Sequence, residues 1–158
     1  MKKFFTLAMV TAMILFFFSC KKSSSDNSNT TTTSFSMKYN GTAWTGTTIT
    51  ASYISYNNST SVTAYKSGTS DQVVIAFTGN TTGTYNFTGD AAIGSGTIGS
   101  VTFSSLYSAV PSGTITVTNY DTSKKLISGT FSFDAVNTGN VTVHITEGKF
   151  ENIPVTIY

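Results

Sequence analysis

From Phe35 to the end of the chain, apolar residues return at every second position, and this period limits the fold more than any other feature. Phe35, Met37 and Tyr39 alternate with Ser36 and Lys38; Ile49, Ala51 and Tyr53 alternate with Thr48, Thr50 and Ser52. Ile115, Val117 and Asn119 alternate with Thr114, Thr116 and Thr118. Successive side chains of a strand point to opposite faces, so each run has one apolar and one hydroxylated face. Threonine suits the outer face, being β-branched yet polar. Turn chemistry separates the runs at Asn40-Gly41, Asn57 to Ser59, Gly68 to Asp71, Asp121 to Lys124 and Asn137 to Asn140. After Cys20 no helical period competes. The expectation over residues 35–158 is a single all-β domain, an antiparallel β-sandwich or flattened barrel of about ten short strands.

Within that frame, Val73, Ile75 and Phe77 are accompanied by Val74 and Ala76 on the opposite face, which predicts a central strand. Residues from Gly89 to Gly99 read as a loose stretch. Pairing Ile115 with Phe131 and Val117 with Gly129 keeps the apolar residues together. Continuing with Phe133 against Val143 and Phe131 against Ile145 places His144 opposite Ser132, with Asp134 one diagonal step away.

The first residues follow other rules. Met1-Lys2-Lys3 is a short basic opening, and Phe4 to Phe18 runs without a charge. Crossing a hydrocarbon core takes about 20 apolar residues. This shorter run therefore predicts a secretory signal helix over residues 1–19 rather than a transmembrane span. Phe17-Phe18-Ser19-Cys20 resembles the lipobox of bacterial lipoproteins. That resemblance implies cleavage before Cys20 and acylation of its thiol and new amino group with palmitate-type chains. One acyl chain holds marginally and two or more hold stably. The implied location is the cell envelope, the outer membrane ahead of the inner. Lys21 to Ser34 contains no apolar residue, so residues 20–34 are expected to form a lipidated, disordered spacer with a reach of roughly 20 Å.

Composition narrows the functional classes. Cys20 is the only cysteine, so no intrachain disulfide can form. All nine basic residues are lysines. Once Lys2 and Lys3 leave with the leader, acids and bases balance. No basic stripe is present to displace counterions, which argues against nucleic acid as a partner. One histidine and one cysteine do not make a zinc set, and Asp71, Asp90, Asp121 and Asp134 stand singly, without a calcium loop. No cofactor or metal is expected.

Three further segments carry a second resemblance. Gly113 to Asp121, Ile127-Ser-Gly-Thr-Phe-Ser-Phe133 and Ile145-Thr-Glu-Gly-Lys-Phe150 resemble the C-terminal half of a family of uncharacterised Bacteroidetes lipoproteins. Met37 to Trp44 is similar to that family's opening strand pair. The resemblance implies the fold class and a lipid anchor. It carries no chemistry.

Two constellations invite a catalytic reading. Gly94-Ser-Gly96-Thr-Ile-Gly99 spells the dinucleotide fingerprint, but that motif must open a helix. Here a strand-like Val101-Thr-Phe103 follows, so a flexible Gly/Ser loop is the reading adopted. Ser132, His144 and Asp134 share one strand face, yet no glycine elbow or oxyanion hole accompanies them. Exposed Tyr56, Tyr65 and Tyr120 are candidates for stacking on sugar rings. The expectation is therefore a membrane-anchored, non-enzymatic lipoprotein whose β domain binds or scaffolds an envelope glycan or protein. The alternatives are an envelope hydrolase using Ser132, His144 and Asp134, or a structural or adhesive subunit joined through an edge strand.

Overall fold

A computed structural model describes residues 32–89 and 91–158. The expected leader at 1–19, Cys20, the spacer up to Thr31, and Asp90 lie outside the described residues. Eleven strands are present among the described residues. In chain order they are β1 (Ser34–Tyr39), β2 (Thr42–Thr45), β3 (Thr48–Ile54), β4 (Ser59–Tyr65), β5 (Gln72–Thr78) and β6 (Gly83–Asn86). Then come β7 (Ala92–Ile98), β8 (Val101–Ser104), β9 (Ser112–Asp121), β10 (Leu126–Asn137) and β11 (Thr142–Ile157). The only helical pieces are 3-10 turns at Ser55–Asn57 and Ser105–Tyr107 among these residues. The all-β expectation holds, with one strand more than anticipated.

The long hairpin β10–β11 organises the sheet, pairing from Leu126↔Pro154 to Val136↔Thr142. Each of its outer edges is shared by two strands. Along β11, β1 pairs over Glu151 to Ile145, and β3 then takes over beside Val155 to Ile157 in the sheet's one parallel pairing. Along β10, β9 pairs from Leu126 to Asp134, and β8 then joins at Val136 and Asn137. With β4, β5 and β7 filling between β3 and β8, hydrogen bonding runs round the ring β11-β3-β4-β5-β7-β8-β10 and back to β11. This is a flattened barrel. β1–β2 and β9–β6 extend as flaps whose last strands, β2 and β6, are edges.

Sharing an edge between two partners requires the long strands to bend, and bulges supply the bend. In β11 the buried positions shift phase twice, from Val143 and Ile145 to Gly148 and Phe150, then to Ile153 and Val155. Glu147 (φ 52°) and Asn152 (φ 51°) stand at these shifts in left-handed conformations. A third bulge inserts Thr118 between Val117↔Gly129 and Asn119↔Ser128. It reverses the phase of β9, so Asn119 is exposed and Tyr120 packs against the core, opposite to strict alternation.

The core is aromatic along its axis. Phe87 stacks on Phe133 at 4.8 Å, Phe35 meets Phe131 at 5.2 Å, and Trp44 meets Phe35 edge-on at 6.1 Å. Glycines opposite the rings make the room. A Cβ on Gly94 would collide with the ring of Phe133, and one on Gly129 would reach Phe150 at 2.6 Å. The stretch read as a loose Gly/Ser loop is therefore strand β7, its Gly94 required by the Phe133 ring and its Gly96 by Phe103, its partner on β8.

Residues 32–34, expected within the spacer, are bonded to the domain. Ser34 opens β1, Thr33 donates its hydroxyl to the Asn152 carbonyl at 3.2 Å, and the Asn152 amide donates to the Thr32 carbonyl.

Candidate functional site

His144 does not face Ser132. It is directly opposite Asp134, because the β10–β11 turn pairs Val136 with Thr142 and so sets a register two residues from the expected one. The turn at Asn40 holds this part of β11, since the His144 amide donates to the Asn40 side-chain oxygen at 2.8 Å and its carbonyl accepts from the Asn40 amide. His144 Nδ1 lies 2.7 Å from Asp134 Oδ1, and the Ser112 hydroxyl donates to Asp134 Oδ2 at 2.9 Å. The imidazole beside Asp134 holds its carboxyl below the usual carboxylate range, helped by Ser112 against partial burial.

The order of this chain decides what it can do. A catalytic serine gives its proton to the imidazole, which the carboxylate orients from behind. Here the carboxylate lies in the middle, Ser112 and His144 each bond to it separately, and Ser132 pairs with Thr114 on the other side of β10. Neither serine is bonded to the imidazole. The side chains are also open to water, 61% exposed for His144 and 45% for Asp134.

The three tyrosines singled out from the sequence do not form one platform. Tyr56 is the middle residue of the 3-10 turn before β4 and is 88% exposed, while Tyr65 ends β4 at its far end. Tyr120 is turned inward by the Thr118 bulge, and its hydroxyl is buried without a hydrogen-bond partner beside Thr60. Desolvation raises that phenol's pKa. Tyr120 is therefore only partly exposed, with its hydroxyl turned into the barrel.

A groove of about 340 Å³ lies on the outer face of β5, β7 and β8. Strand alternation builds its floor. Val73, Ile75, Ala92 and Gly94 point inward, so Gln72, Val74, Ser95, Thr97 and Thr102 point outward. Cross-strand pairing aligns Gln72 with Thr97 and Thr97 with Thr102, whose hydroxyls are 3.1 Å apart. Tyr107 forms one wall. Its 3-10 turn is fixed by the Ser104 hydroxyl, which accepts from the Leu106 amide, and by Ser105, which accepts from the Gly94 amide at 3.1 Å. On the other side Tyr65 pairs directly with Gln72. No ionisable group other than the Tyr107 phenol lines the groove.

The sequence reading named Tyr65 but missed the rest of this surface. The available signal was the alternation of Ser95 and Thr97 with Gly94 and Gly96, hidden because small inward residues give no apolar beat.

Asp71 is the buried carboxylate behind the groove, accepting from the Trp44 indole at 3.2 Å and from the Gly99 amide at 2.9 Å. The Gly99 bond leads in lowering its pKa, against the opposing effect of burial. Asp71 ties β2 and the β7–β8 turn to the start of β5, and it is already satisfied. Among the described residues no cluster of three or more His, Cys, Asp or Glu is placed to hold a metal ion.

An all-β barrel with a neutral hydroxyl-lined groove and an exposed Ser–Asp–His chain defines the class. The family described as Domain of unknown function (DUF6252) matches residues 31–154, and the chain belongs to that family. No curated protein and no solved structure matched the chain.

Proposed function

We propose that this chain is a lipoprotein of the bacterial cell envelope, anchored through acylated Cys20, whose β domain binds a neutral polyhydroxylated ligand without transforming it. An envelope glycan segment is the ligand class that fits. The carrying observation is the groove walled by Tyr107, floored by Gln72, Ser95, Thr97 and Thr102 and free of carboxylates and lysines, with Tyr65 paired beside Gln72. Hydroxyl and amide groups on a rigid sheet exchange hydrogen bonds with sugar hydroxyls, while tyrosine rings cover the apolar faces of the sugar. The lipobox-like Phe17 to Cys20 and the Bacteroidetes lipoprotein resemblance support the envelope location. The central position of Asp134 between Ser112 and His144 favours binding over the hydrolase alternative.

The test is an array of neutral and charged envelope glycans, followed by titration of the best neutral hit. Binding should fall at least tenfold in Tyr107→Ala, corresponding to about 1.4 kcal/mol or more, and in Gln72→Ala. His144→Ala should leave it unchanged. A preference for charged glycans, or indifference to Tyr107 and Gln72, would remove this assignment.

A further inference from the structure

Among the described residues, the large apolar side chains left exposed fall into two sets. Tyr65, Leu106, Tyr107, Val110 and Val141 belong to the groove or to turns near it. Tyr56 (88% exposed), Ile157 (53%) and Tyr158 (71%) belong elsewhere, and hydrogen bonds hold them together. The Tyr158 carbonyl accepts from the Ser55 amide at 3.0 Å and from the Ser55 hydroxyl, and the Tyr158 amide donates to the Tyr53 carbonyl. Lys124 and Lys125 occupy the β9–β10 turn at the same end, where the Lys125 carbonyl accepts from the Val155 amide at 2.8 Å. Asp121 is the acidic group of that turn and pairs with Lys124 at 3.7 Å.

The described chain begins at this side of the sheet. Thr33 is docked on Asn152, and β1 runs antiparallel to β11, so β1 traced back to Thr32 runs in the direction in which β11 approaches Tyr158. Asn152 and Tyr158 are six residues apart along β11, roughly 20 Å. Eleven residues separate Cys20 from Thr32, and a chain of that length has an r.m.s. reach of roughly 18 Å. These two lengths match. A tether fixed in lipid at Cys20 brings the end carrying Tyr56, Ile157 and Tyr158 down to the headgroups instead of lifting it clear.

We infer that this end of the barrel is a membrane-contact surface: Tyr56, Ile157 and Tyr158 rest in the lipid headgroup region, with Lys124 and Lys125 over it, and the groove beside Tyr107 is directed away. The inference rests on the anchoring through Cys20 proposed above. Tyrosine is the side chain that settles at a membrane–water interface, its ring in the headgroup layer and its hydroxyl hydrated. Lysines just outside that layer meet anionic headgroups. Contact weak enough to fail for a free domain becomes effective once a tether makes it intramolecular.

The test couples the chain beginning at Cys20, which keeps every buried side chain described above, through its thiol to maleimide lipid. The vesicles are phosphatidylethanolamine and phosphatidylglycerol, and hydroxyl-radical oxidation is read per residue. Against the same chain capped at Cys20 and free in solution, oxidation of Tyr56 and Tyr158 should fall several-fold while Tyr107 stays as reactive. Lipid-soluble quenchers should likewise report contact that Tyr56→Ser with Tyr158→Ser abolishes. Unchanged Tyr56 and Tyr158, or equal protection in concentrated chain without vesicles, which signals a second copy, would overturn the inference. The coupling is chemical, so this result is independent of whether cells acylate Cys20, which the mass of the native N-terminus reports separately.

Discussion

Among the described residues Asp71 is the one buried carboxylate. Its carboxylate is buried and accepts from Trp44 and Gly99, which lowers its pKa from the ordinary 3.8. A depressed folded pKa means that the stabilisation is complete above that ordinary value and is lost as pH falls through the lower folded one. Asp71→Ala leaves the Trp44 indole and the Gly99 amide without their acceptor. It should cost about 1–3 kcal/mol, read as a lower denaturation midpoint. Asp71→Asn should flatten the acid limb of the stability curve below pH 3.8. A neutral Asp71→Ala would mean that β2 and the β7–β8 turn are held otherwise. The sequence placed Asp71 in a turn, but its burial depends on Trp44 and Gly99, which come near only through the closed sheet. At the same scale, Gly94 was visible as a glycine and unreadable as a packing residue, because its partner Phe133 lies on a strand far along the chain. Gly94→Ala should cost about 1–3 kcal/mol by overpacking, measured by denaturant unfolding, whereas Gly41→Ala removes no space and should act only through its turn conformation.

At the scale of elements, the alternation from Phe35 onward predicted the strands, and the pairings Ile115↔Phe131 and Val117↔Gly129 are present. What it did not predict is where alternation breaks. Bulges at Thr118, Glu147 and Asn152 shift the phase, and the first of them turned Tyr120 inward. The β10–β11 turn, two residues off the expected register, set His144 opposite Asp134 and not Ser132. A bulge inserts a residue with no compositional mark unless glycine fills it, and here Glu147 and Asn152 adopt the left-handed conformation themselves. Asn152→Val loses the amide bond to Thr32 and forces a β-branched residue to positive φ, so it should cost about 1–2 kcal/mol. Asn152→Gly should relieve the backbone while losing the same bond. Thermal denaturation of the two variants should therefore place Val well below Gly; equal midpoints would mean the conformation at this bulge carries no strain.

For the whole molecule, the two ends of the barrel have different surfaces. One carries a hydroxylated groove walled by Tyr107, the other carries Tyr56, Ile157, Tyr158 and the Lys124–Lys125 turn. Composition had foreseen a β domain of nearly balanced charge, but not that its exposed aromatics divide between two ends, since that division follows from the ring closure through β10 and β11. Both proposed roles depend on the domain being held at a lipid surface by its N-terminus. The mass of the N-terminal peptide from protein extracted from native membranes measures this directly. The account predicts a peptide that begins at Cys20 and carries the added mass of acyl chains. A peptide with a bare Cys20 thiol, or one still preceded by residues 1–19, would contradict it.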